Sequence, residues 1–165
     1  MRRIEDIIDQ AFCCVPYPGR ENVCGSPSGE WEFEPLFKCE VQWRKDWRKI
    51  PAGLIATEVR DILPLFSAAG YRFFLPAYMK TALLAIKYPF NDDYGTLLMF
   101  VIFGLCPSDD FDEHHAHQIS LFNGEQKHAV AAFLKHIRQY HTYGEDGLCE
   151  YDGLIASALE RKIYE

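Results

Sequence analysis

The chain has 165 residues, of which 48% are hydrophobic and 25% charged, values of an ordinary globular protein that exclude global disorder. Its 24 acidic side chains outnumber 17 basic ones, and the net charge of −7 opposes unaided binding to nucleic acid or to an anionic membrane. The apolar run Leu97 to Leu105 is far short of the ~20 residues that span a bilayer, and acids follow Arg2 and Arg3 within three residues, so no secretory h-region is read.

The N-terminal stretch places Ile4, Ile7, Ile8, Ala11, Phe12 and Val15 at helical spacing, and Pro16, Pro18 and Gly19 stop it. Residues 16 to 30 form the one long loop, of a length that marks function or mobility. Over 31 to 49, Pro35 suits a first helical position and Leu36, Cys39, Trp43 and Trp47 can share a face. The alternative there is a short strand or extended segment near 31–45. Ile55, Val59, Ile62 and Leu63 make the next stripe. Ser67 is placed to cap a helix whose face carries Tyr71, Phe74, Leu75, Tyr78, Met79, Ala82 and Ile86, with a kink or break predicted at Pro76.

Thr96 to Leu105 is apolar all round, as in a central helix, although its β-branched content also suits a buried strand. Asn123 with Gln126 reads as a capping box for a helix carrying Val130, Phe133, Leu134, Ile137 and Tyr140. Gly144 and Gly147 end that region, and Asp152 is read as the cap of a last helix with Leu154, Ile155, Ala158, Leu159 and Ile163. The stripes predict an all-α fold, a single compact domain over 1–165 of about six or seven helices. Without a signal peptide the six cysteines read as reduced thiols in a cytoplasmic protein. The adjacent Cys13 and Cys14, in a helical pattern, would point apart.

Chemistry is most concentrated in Asp109 to His117, where Asp109, Asp110, Asp112, Glu113, His114, His115 and His117 supply seven oxygen and nitrogen donors. In a helix, Asp110, Glu113 and His117 fall on one face, and Asp110 and His114 are one turn apart. A set built from Asp110, Glu113, His114 and His117 would take zinc, which needs three or four such donors converging. The bland reading of the same segment is a solvated turn. A second patch, Trp43 to Lys49, interleaves cations with aromatics. Trp43, Arg44, Lys45, Trp47 and Arg48 are its candidate partner-binding residues, against the alternative of a core tryptophan pair with solvated cations. No G-x-S-x-G elbow, phosphate-binding glycine loop or dinucleotide fingerprint is present, and nothing pairs Cys24 or Cys149 with a particular histidine.

Cys39–Glu40, Trp47, the aromatic-L-P-A-Y segment Phe74 to Tyr78, and Gln126 with Phe133–Leu134 together resemble a family of uncharacterised bacterial proteins. That resemblance covers about residues 31 to 141 and implies a helical fold in a bacterial cytosol, with no activity attached. The leading expectation is a non-enzymatic protein-binding domain, in its specific form an immunity-type inhibitor with a protein partner. It requires an exposed aromatic or acidic patch. The alternatives are a metal-binding protein or metal-dependent hydrolase built on the 109–117 cluster, and a nucleic-acid-associated protein.

Overall fold

The computed structural model describes residues 3–106, 112–141, 149–161 and 163–164. Among the described residues the chain is all α-helix and 3-10 turns, with one isolated antiparallel bridge between Cys24 and Phe66. One continuous apolar core runs from Ile4 to Tyr164.

Helix α1 (Ile4–Phe12) buries Ile4, Ile8 and Phe12, a stripe at i, i+4 and i+8, and carries Glu5 and Asp6 where the helix dipole favours acids. It ends earlier than the apolar pattern predicts. The Phe12 carbonyl, one of the acceptors a helix end leaves without an internal donor, is taken by the Trp47 indole N–H at 3.0 Å. The long loop after it is pinned. Gly25 N–H donates to the Leu65 carbonyl (2.8 Å) and Ser67 N–H to the Val23 carbonyl (2.9 Å), which clamps residues 23–25 against 65–67.

Residues 31–49 form short pieces rather than one helix or a strand: the end of the 3-10 turn Pro27–Phe33, α2 (Glu34–Lys38), α3 (Glu40–Trp43) and the 3-10 turn Trp47–Lys49. Asp46 caps the last of these, accepting from Arg48 N–H at 3.1 Å. Extended backbone near 31–45 is therefore replaced by helical turns, each of which sends an aromatic or aliphatic anchor inward, α2 sending both Leu36 and Phe37. Next comes α4 (Ala52–Thr57), shorter than the stripe through Leu63 suggested.

Helix α5 (Ala68–Ala82) is the centre of the molecule, packed by α1 and α4, and buried on nearly every side. Ser67 caps it as the sequence predicts, its Oγ accepting from Gly70 N–H at 3.0 Å. Pro76 does not break it: the helix runs through to Ala82. Proline removes one ladder donor, and dense packing on both sides holds the helix across that gap. The short α6 (Leu84–Lys87) leads to α7 (Asp92–Leu105), which settles the apolar run 96–105 as a helix against α5.

Helix α8 (Asp112–Gln118) packs on α5. Helix α9 (Gly124–His141) opens with the capping box in full, Gln126 N–H to Asn123 Oδ1 at 2.9 Å and Asn123 N–H to Gln126 Oε1 at 3.2 Å. It lies along α1 and α10 (Cys149–Glu160). Asp152 is not the cap of α10. The helix starts three residues before it, and Asp152 instead faces α9 and pairs with Arg138 at 2.6 Å. The predicted stop at Gly144 and Gly147 lies outside the described residues.

Candidate functional site

Three places test the sequence-predicted chemistry: the histidines of α8, the tryptophan and cation segment, and the exposed aromatics. On α8, neighbouring residues point to different faces and so have different fates. His115 is buried, with Nε2 at 2.8 Å from the Tyr164 hydroxyl, which itself donates to the Leu105 carbonyl at 2.7 Å. With that proton committed to Leu105, the Tyr164 oxygen receives the His115 N–H. Gln118, also buried, aims its side-chain amide at the carbonyls of Pro64 (3.1 Å) and Phe66 (3.2 Å). Exposed His114 reaches the same Pro64 carbonyl at 2.9 Å through Nε2.

These bonds satisfy carbonyls of the turn Leu63–Leu65 and Phe66, whose own ladder is short. Two of the predicted metal donors, Glu113 and His117, are exposed, and His114 spends one ring nitrogen on Pro64. The fourth, Asp110, lies outside the described residues. Among the described residues no three His, Cys, Asp or Glu side chains converge to hold a metal ion.

The tryptophans of the second patch are core residues. Trp43 is fully buried, its ring at 5.1 Å from Phe74 and its indole N–H on Cys39 Sγ at 3.4 Å. Trp47 is equally covered, with Lys80 lying 5.7 Å over its ring. What this segment exposes is Arg44, Lys45, Arg48 and Lys49, and Arg48 is bound to Asp46 at 2.7 Å. That bond, with a second from Arg48 N–H, holds the Asp46 carboxyl below the usual carboxylate range. Burial of both rings removes the stacking platform that a single-stranded nucleic acid would need.

The sequence reading missed the turn between α6 and α7. Residues 87 to 93 are all exposed, and Phe90 at its tip is 98% exposed. Tyr88 and Tyr94 sit below it with ring centroids 6.1 Å apart, and Lys87 lies over the Tyr88 ring at 5.2 Å. Asn91 caps α7 by accepting from Tyr94 N–H at 3.1 Å, which fixes the turn and leaves Asp92 and Asp93 exposed in the first helical turn, Asp93 at 3.6 Å from Arg60. The available sequence signal was Tyr-Pro-Phe-Asn-Asp-Asp-Tyr itself, three aromatics among turn residues that share no helical face with the stripes on either side. A cleft of about 410 Å³ between α1 and α9 is lined by Ile7, Gln10, Ala11, Gly124, Glu125 and His128, a set without serine, threonine, cysteine or lysine.

Among the described residues no helix is long and apolar enough to cross a membrane. The family of unknown function DUF6714 matches residues 31–147, and the chain belongs to that family. No curated protein and no solved structure matches the chain.

Proposed function

We propose that this DUF6714 member is a non-enzymatic protein-binding domain that presents the Tyr88–Tyr94 turn to a protein partner. The observation that carries the reading is Phe90, an apolar ring 98% exposed on a turn fixed by the Asn91 cap. Large rings lose free energy by standing in water, and rigid aromatic anchors at the centre of an interface supply much of its affinity. A ring held ready on a capped turn also loses little freedom on binding. Asp92 and Asp93 beside it, together with the net charge of −7, fit an apolar pocket rimmed by basic groups. An immunity-type inhibitor of a basic bacterial protein is the specific form of this reading.

The test is site-specific photo-crosslinking. A photoreactive residue at position 90, with one at exposed Glu125 as control, is irradiated in a lysate of the native host. A saturable protein adduct is expected from position 90, competed by unlabelled wild type and about tenfold to a hundredfold less well by Phe90→Ala, the loss that follows from about 1.5–3 kcal/mol of phenyl burial. Equal competition by wild type and Phe90→Ala, or no saturable adduct at position 90, sinks the proposal.

A further inference from the structure

The tight turn after α1 holds a feature that protein binding does not use. Cys13 and Cys14 are both exposed, and their sulfurs are 3.0 Å apart in direct contact. In a continuing helix adjacent side chains diverge by about a hundred degrees. Here α1 has ended at Phe12, Val15 N–H turns back to the Phe12 carbonyl at 3.3 Å, and the two thiols converge. The hydrogen bond with Cys14 holds the Cys13 thiol above its ordinary range, and the guanidinium of Arg48 opposes that rise only in small part.

The other described cysteines are engaged differently. Cys24 donates to the Ser26 carbonyl at 2.7 Å, Cys39 accepts the Trp43 indole proton, and Cys106 is buried with its thiol pushed up to about 12.

We propose that Cys13 and Cys14 are a redox-responsive vicinal dithiol, closing to an intramolecular disulfide under a two-electron oxidant of the peroxide class. In the first step one thiolate attacks a peroxide oxygen, the O–O bond breaks, and one water leaves after protonation, giving a sulfenic acid. In the second, the neighbouring thiol attacks that sulfur, the S–O bond breaks, the S–S bond forms and the second water leaves. Two sulfurs have together lost two electrons, and the peroxide has become two waters.

The resolving thiol is already in contact, so ring closure precedes further oxidation. The resulting bond is easily reversed. Adjacent Cα atoms across a trans peptide stand ~3.8 Å apart, below the ~4.4–6.8 Å that disulfides usually span, and a strained, exposed disulfide is a labile one.

Ring closure is also transmitted inward. The residue before the pair, Phe12, is in the core, and its carbonyl holds the Trp47 indole. Oxidation at the surface therefore pulls on a buried hydrogen bond, and tryptophan emission, which Trp47 shares with Trp31 and Trp43, reports it.

The experiment exposes the reduced full chain to one equivalent of hydrogen peroxide, blocks free thiols with iodoacetamide and maps the peptides by mass spectrometry. The expected result is loss of two hydrogens confined to the peptide with Cys13 and Cys14, regained with dithiothreitol, while Cys24 and Cys39 stay alkylated. Emission should shift with oxidation in wild type and stay fixed in a Cys13→Ser/Cys14→Ser variant. Phenylarsine oxide, which needs two adjacent thiols, should bind one equivalent in wild type and none in either single serine variant. Alkylation of both cysteines after peroxide treatment, or their separate conversion to sulfinic acids, overturns the proposal. Mapping the wild type alone decides this, whatever the variants' stability.

Discussion

Gln126 ties three helices with one side chain. Its Oε1 accepts from Arg72 of α5 at 2.9 Å and from Asn123 N–H, and its Nε2 donates to the Ala11 carbonyl of α1 at 3.3 Å. Replacement by Ala unpairs a half-buried guanidinium contact and a helix cap together. Gln126→Ala is expected to lose about 2–3 kcal/mol in chemical denaturation. A loss below a few tenths would mean that water replaces all three partners.

His136, half-buried and tilted against Tyr140 with centroids 4.7 Å apart, has its pKa lowered by burial. The folded chain thus takes up this proton at lower pH than the unfolded chain. Its contribution to stability is unchanged above the unfolded value of about 6.5, then falls with pH until the folded histidine also titrates. Stability measured at pH 7.5 and 5.0, at values bracketing about 6.5, should fall less in His136→Gln than in wild type; identical slopes would refute the assignment. The capping box was legible because it is local, three residues in one turn. The tasks of His114 and Gln118 were not, since both serve carbonyls about fifty residues earlier in the chain.

Two glycines separate close packing from helix propensity at the level of elements. Gly70, in the first turn of α5, sits under the Val23 carbonyl, and a Cβ there would meet that oxygen at 2.4 Å. Backbone clamped by the Ser67–Val23 bond cannot yield, so Gly70→Ala should cost about 2–3 kcal/mol. Gly95, in the first turns of α7, has open space around its Cβ position, and Gly95→Ala should gain about 0.5–1 kcal/mol. Thermal melts of both variants check the opposite signs, and a shift in the same direction would show that the close approach at Gly70 does not govern α5.

The long stripes of α1, α5, α7 and α9 could be read from sequence because one helix face repeats over several turns. Residues 31–49 could not be read as a single unit. There the chain changes direction every few residues, and Trp43 and Trp47 are each anchored by tertiary partners, Phe74 and the Phe12 carbonyl, that no local period encodes.

Across the whole molecule the aromatic surplus divides unevenly. Phe12, Phe33, Phe66, Phe73, Phe74, Trp43 and Tyr78 build the interior, while Phe90 stands in water. Removing Phe90 should therefore leave stability within about 0.5 kcal/mol, as for a surface position, and a larger loss by denaturation would show hidden structural duty. An exposed patch was the requirement read from composition and charge. Its address was not legible, because periodicity reports which residues pack and is silent about those that pack against nothing in the chain.

The bonds joining Leu105, His115 and Tyr164 close the core around its lower end. During synthesis on a ribosome, residue 164 leaves the exit tunnel well after α5 and α7 are free to pair. Until then His115 lacks its hydroxyl partner and the Leu105 carbonyl its donor. The nascent protein thus lacks this seal until that tyrosine is clear of the tunnel, and a stall before then would leave the core open at this point to any chaperone that reads apolar surface.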